Sequence, residues 1–353
     1  MSLATGSVIS TVLSNTGLTI SDVDNVLIWY KTSAAHTFTG LGDNWTIYTT
    51  ASTQDITLAY TDGVITLSPT LTIIPNGTTA GTYTFTADGD FAAVTINPTT
   101  VGSTMTLAAG TAVDAVATLN VGGSATLDIT TPITTITTLA ATDSAAVTAY
   151  MSAAAVGSTA ALDADFSTAG ATLQFAATAG LHASTDIDFT GAGNTLKMLW
   201  AGARQTTDHS AAFTNINTLE ITDAPDANTI TVSNFDTDAG TTITSVLFDV
   251  VPSAAHTVSG IPAGTATVNY GTSGGTPFDV PAGVTYNTDG TGALTINVLG
   301  DLVTGATRDQ AFTVTTSQTL TLNLGTGINA ASSVDVTSTS LLSLTVTGLA
   351  IDR

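Results

Sequence analysis

The chain has 353 residues, 43% of them hydrophobic and only 9% charged, and its 27 acidic residues against 5 basic ones leave a net charge of −22. Nucleic-acid binding is excluded, because a phosphate backbone requires a Lys/Arg footprint that five scattered cations cannot make. A mean hydropathy of +0.36 excludes a disordered chain, the absence of cysteine excludes disulfides and thiolate metal sites, and no run reaches the roughly 18 apolar residues of a membrane helix.

The opening residues 1–17 carry neither a basic n-region nor a compact apolar h-region, so the expectation is that a secretory signal was removed or that export uses another route. Residues 1–70 are rich in aromatics (Trp29, Tyr30, Trp45, Tyr48, Tyr60) and read as an N-terminal cap or assembly domain. Within them, Ser21 as N-cap predicts a helix over 22–30. Alternating runs then follow at 55–60, 82–86, 93–97 and 125–130, each bounded by Gly, Asn, Asp or Pro, and read as strands. An Ala-rich stretch predicts a second helix over 144–156. Further strands are expected at 172–176, 218–222, 229–233 and 265–270, which completes a β-strand-repeat region over 71–270. A Gly/Pro-rich segment at 271–283 opens a C-terminal repeat region, 271–353, with strands at 294–298, 320–324 and 344–347.

The 76 threonines agree with this reading, since a β-branched side chain fits a pleated surface better than a helix. Intervals this short leave no space for crossover helices, so a doubly wound α/β fold is excluded. The strand runs are also shorter than the roughly 9 to 11 residues that span a membrane in a β-barrel.

Repetition narrows the architecture. Leu294-Thr-Ile-Asn-Val, Leu320-Thr-Leu-Asn-Leu and Leu344-Thr-Val-Thr begin 26 and then 24 residues apart, and Asp-x-Asp-Phe recurs at 88–91, 163–166 and 186–189. A period in the low to middle twenties suits one turn of a parallel β-helix, and equally one hairpin of a serial β-sandwich. The expected fold class is therefore all-β with little helix, as a parallel β-helix or solenoid or as serial β-sandwich domains.

The stretch Phe213-Thr-Asn-Ile-Asn-Thr-Leu-Glu-Ile-Thr-Asp223, with the Thr/Ala/Gly-rich alternation around it, resembles bacterial surface-layer proteins and β-strand-repeat surface proteins exported by type I secretion. That resemblance implies an extracellular, self-assembling lattice or fibre protein, often calcium-dependent. The glycine-rich nonapeptide of calcium-binding repeat toxins is absent, so its calcium site does not carry over.

Of the 27 acidic residues only Glu220 is a glutamate, and aspartate both terminates turns and ligates hard cations. Five pairs set two carboxylates at i and i+2: Asp22 and Asp24, Asp88 and Asp90, Asp163 and Asp165, Asp186 and Asp188, Asp236 and Asp238. Such neighbours share a face of a strand and repel by about 1 kcal/mol unless water or a cation intervenes. As solvated turn residues they need no ligand; as an ion site they suit Ca2+, which accepts six to eight oxygens in loose geometry. The 23-residue separation of Asp163/Asp165 from Asp186/Asp188 is expected to stack four carboxylates on adjacent turns.

No catalytic constellation stands out. Asp208-His209-Ser210 is contiguous, and neighbours on a strand point to opposite faces. The histidines show no metal-ligand spacing. Lys197 and Arg204, downstream of Asp186 and Asp188, form the kind of set a calcium-assisted polysaccharide lyase uses on a β-helix. The reading is a non-enzymatic assembly subunit, with itself as partner. An adhesin that binds a cell-surface glycan and a polysaccharide-degrading enzyme are the alternatives.

Overall fold

The computed structural model describes residues 8–11, 18–19, 25–29, 36–41, 45–50, 55–60, 70–86, 93–109, 116–143, 145–205, 207–236, 243–262, 265–271, 283–288, 292–298, 310–315, 319–328, 334–338, 341 and 343–349. With 53% strand and 3% helix, the chain is a parallel β-solenoid. It forms two compact units, Met1–Ala176 with Ser184–Gly191, and Ala177–Ala183 with Ala192–Arg353.

In the first unit one sheet stacks, in order, Val8–Thr11, Asn25–Trp29, Trp45–Thr50, Thr70–Asn76, Ala93–Ile96, Thr118–Val121, Thr138–Ala141, Asp163–Phe166 and Asp186–Phe189. The strands between them in sequence, from Leu18–Thr19 through Ile56–Tyr60, Ser103–Ala109 and Val147–Met151 to Thr172–Phe175, stack into a second sheet. Each strand thus pairs in parallel with the strand two places along the chain, which is the ladder of a solenoid coil and not the antiparallel pairing of a sandwich.

Threonine-rich alternation produces this directly. In a strand, successive side chains face opposite sides, and the observed pattern is buried and half-exposed in turn, as at Val147–Met151 and Thr172–Phe175. Registry then aligns buried residues of one coil over those of the next. Leu71, Val94, Leu119, Leu139, Ala164 and Ile187 form one such rank, each fully buried. Beside it, Phe166 and Phe189 stack with centroids 4.7 Å apart. Each fully buried aliphatic residue contributes roughly 1.5–3 kcal/mol, and none can bury its inner face without a neighbouring coil.

The second unit repeats the design. One sheet stacks Thr195–Met198, Thr218–Ile221, Ser245–Phe248, Thr265–Tyr270, Ala293–Val298, Thr319–Ile328 and Ser343–Leu349. The other stacks Thr229–Thr231, Thr257–Ile261, Val284–Thr288, Gln310–Thr315 and Val334–Ser338. Its core includes Phe248 stacked on Tyr270 at 4.8 Å, and a buried polar chain in which His256 Nε2 meets Tyr270 Oη at 2.9 Å and Tyr270 Oη meets Tyr286 Oη at 2.8 Å.

A strand is found in each of the eleven expected segments, although the one expected over 229–233 stops at Thr231, where a 3₁₀ turn begins, and both expected helices are corrected. Asn25–Trp29 is a strand paired with Trp45–Thr50. Within 144–156, Val147–Met151 is a strand and the following residues are turns. A plausible cap and good helix formers lose here to coil registry: in each case the strand has neighbours to extend, whereas a short isolated helix is marginal. Among the described residues the helices are Trp200–Ala203 and a 3₁₀ turn at Val232–Asn234.

Candidate ion and assembly sites

The strands Asp163–Phe166 and Asp186–Phe189 are direct neighbours, with Asp163 opposite Asp186 and Asp165 opposite Asp188. Their apolar partners Ala164, Phe166, Ile187 and Phe189 point inward, so all four carboxylates are exposed on the outer face. The expected two-by-two stack is therefore formed, with neighbouring strands about 4.8 Å apart. Partial desolvation, reinforced by the charges of Asp163 and Asp188, raises the Asp165 carboxyl above its usual range. Asp186 is raised likewise, by desolvation first and then by the three neighbouring carboxylates. Among the described residues, no group of three or more His, Asp or Glu side chains is arranged as a ready-made metal centre. The stack is an anionic surface ladder on which a cation reduces repulsion.

The other pairs fare differently. Asp236 accepts a hydrogen bond from the Ile243 amide at 3.0 Å, whereas Asp238 lies outside the described residues, as do Asp22, Asp24, Asp88 and Asp90.

Two of the five cations, Lys197 and Arg204, are among the described residues, and both lie in the second unit. Lys197 and Glu220 occupy the same rank of adjacent coils, and Lys197 Nζ lies 2.5 Å from Glu220 Oε1. Burial, and then the Asp249 carboxyl beside it, raises Glu220 to about 7 despite the lysine. Arg204 follows the short helix Trp200–Ala203 and pairs with Asp226 at 3.5 Å. Asp226 also accepts from Asn228 Nδ2 at 2.6 Å and from the Trp200 indole at 2.5 Å, and these donors hold its carboxyl below the usual range. Asp223 accepts from the Trp200 amide. Beside Arg204 is an open depression of about 420 Å³ lined by Ala201, Arg204, Ala227, Asn228 and Thr229.

Asp208, His209 and Ser210 do not assemble a relay in this structure. Asp208 Oδ1 accepts from the Ser210 amide at 2.9 Å, closing a local turn, and buried His209 stacks on Phe213 with centroids 4.9 Å apart.

Sequence reasoning identified the Leu-Thr-x-Asn repeat but missed what its asparagines do. Asn269 Nδ2 donates to Ser245 Oγ at 3.0 Å, Asn297 Nδ2 to Asn269 Oδ1 at 2.8 Å, Asn323 Nδ2 to Asn297 Oδ1 at 2.6 Å, and Thr347 Oγ1 to Asn323 Oδ1 at 2.6 Å. This ladder crosses five coils. The recurrence of Asn at the same place in each repeat was the available signal. For Lys197 and Glu220 it was the 23-residue separation, the same as that of the aspartate pairs.

Among the described residues, the ladder's last member, Thr347, lies on Ser343–Leu349. Leu294, Leu320 and Leu344 share one rank, yet Leu294 and Leu320 are fully buried and Leu344 is 43% exposed. No helix among the described residues is long and apolar enough to cross a membrane. Comparison with protein families, with curated proteins and with solved structures finds no match to this chain.

Proposed function

We propose that this chain is a structural, self-assembling subunit of a bacterial surface layer or extracellular filament, stabilised by calcium, and not an enzyme. The observation that carries the reading is an exposed leucine in a buried rank: Leu344 stands in register over buried Leu320, yet is itself 43% exposed. An apolar side chain exposed at a rank whose other members are buried is adhesive, because coils of a solenoid bury their apolar face only against neighbours. The aspartate ladder supports the calcium component, because an ion shared between facing carboxylates, its shell completed by water, neutralises charge on a chain of net −22 and lets copies approach. The test is light scattering of native chain and Leu344→Lys in millimolar calcium. The native chain forms large particles, and the variant, with unchanged circular dichroism, forms markedly smaller ones. Equal sizes for the two refute the reading.

A second reading, an extracellular adhesin that binds a cell-surface glycan, is favoured by the Arg204 depression. Arg204 is one of five cations on a strongly anionic chain, and its Nε is buried without a hydrogen-bond partner among the described residues. A carboxylate-bearing sugar suits such a donor. Binding of acidic oligosaccharide to the native chain, lost in Arg204→Ala, supports this reading; no binding removes it.

A further inference from the structure

The outer face of the longer sheet in the second unit is a grid. One of its outward ranks runs in unbroken register from Thr195 to Thr345 across seven coils, and every member is a threonine except Ser245. Each member is half-exposed or exposed, while the residues that alternate with them, such as Leu294, Ile296, Leu320 and Leu322, are fully buried. Two residues further along each strand lies a second rank, which begins with Lys197, Glu220 and Leu247 and continues as Asn269, Asn297, Asn323 and Thr347. From Thr267 and Asn269 onward, hydroxyls and amides repeat at about 4.8 Å from coil to coil and about 6.6 Å along the strand.

The grid is rigid before anything binds. A threonine is restricted at χ1 by its branched Cβ, and the asparagines are fixed by the hydrogen bonds they exchange with one another. Side chains already ordered lose little freedom on contact, and side-chain ladders of this kind favour a flat sheet over a twisted one. Asn297 and Asn323 each use one donor and one acceptor on the ladder, which leaves one of each to face outward.

From Thr267 and Asn269 onward neither rank holds a charged or aromatic residue, on a chain of net −22. The face therefore has no charge to attract an ion, a phosphate or a lipid headgroup, and no aromatic anchor for a protein partner. It offers many equal donors and acceptors, each weak alone. Only a partner that repeats in two dimensions engages them together, and the surface of ice is one: a lattice of oxygens, each able to donate and to accept.

We propose that this face binds ice, the hydroxyls from Thr267 to Thr345 and the amides of the asparagine rank taking the place of water molecules in the outermost lattice layer. Such binding needs a single chain and does not rest on assembly. The other sheet of the unit is the poorer surface: Thr257, Thr285, Thr313 and Thr337 share a rank, but the register beside it shifts between Val258 and Ile261.

A single ice crystal held in a solution of native chain, with chelator so that assembly is not required, reads the contact directly. The native chain is expected to facet the crystal, hold its freezing point below its melting point and enter slowly grown ice. Thr295→Lys, in the middle of the grid, loses most of that gap with unchanged circular dichroism, and Thr321→Lys serves should it misfold. Thr313→Lys, on the other sheet and equally folded, retains the gap. Native chain that is rejected from growing ice, with equal freezing and melting points, overturns the proposal, as does an equal loss in Thr313→Lys. Retention of native chain on microcrystalline cellulose without entry into ice assigns the face to an ordered polysaccharide and also overturns it.

Discussion

Asn297 donates to Asn269 through Nδ2 and accepts from Asn323 through Oδ1, so that one side chain ties together three successive coils. Truncating it removes both bonds and leaves two half-buried amides without their partner. Asn297→Ala is expected to destabilise the second unit by about 1–3 kcal/mol, while Thr295→Ala, two residues away on the same outer face, has an effect below about 1 kcal/mol. Urea unfolding of the two variants compares them; equal stabilities show the ladder to be neutral.

Gly123 turns the chain between two coils at φ +101°, and a Cβ placed there would lie 2.2 Å from the Pro98 carbonyl oxygen. Strain of both kinds is expected in Gly123→Ala, with a loss of about 1–3 kcal/mol and a lower thermal midpoint. Gly170 also has positive φ, at +79°, but its added Cβ would meet nothing closer than Ala146 Cβ at 4.0 Å. Gly170→Ala is therefore expected to lose less.

Acid stability separates two buried groups of opposite effect. Burial lowers His256 to about 4, partly offset by the Ala254 carbonyl. Between about pH 6.5 and pH 4 the unfolded chain holds a proton that the folded chain lacks, so this group makes stability fall as pH drops through that window. Glu220, raised to about 7 by burial, acts the other way: the folded chain retains its proton, and stability falls as pH rises from about 4.5 to 7. In His256→Asn the acid-driven loss, on the order of 3 kcal/mol, disappears relative to native chain. Denaturant unfolding from pH 4 to pH 8 measures it, and parallel curves for the two proteins contradict the assignment.

The aspartate ladder makes a paired prediction. Asp163 faces Asp186, and Asp165 faces Asp188, so Asp186→Asn/Asp188→Asn relieves repulsion and raises the thermal midpoint in chelator. In native chain, calcium at a hundredfold excess over Kd adds about 2.7 kcal/mol, and the double variant loses most of that response. A native midpoint that calcium leaves unchanged reduces the ladder to solvated residues.

The fold was legible in the sequence wherever alternation and period coincided. The 26- and 24-residue steps from Leu294 to Leu320 to Leu344 are the coil registers themselves, and the 23-residue step from Asp163 to Asp186 placed the carboxylate stack correctly. What local pattern could not supply was the choice between solenoid and sandwich, because period alone does not say whether neighbouring strands run parallel. It also misread Asn25–Trp29 and Val147–Met151, where pairing to adjacent coils overrides local helix signals. The Tyr270, Tyr286 and His256 chain was hidden for a related reason: its members are 14 and 16 residues apart, a spacing set by how the coil folds inward and not by the repeat.

Electron microscopy of purified native chain, in millimolar calcium and in chelator, tests the central claim most directly. The account predicts filaments or sheets with a regular axial repeat in calcium, and shorter or dispersed particles once calcium is removed. Isolated single particles under both conditions, at concentrations where the fold is intact by circular dichroism, would contradict it.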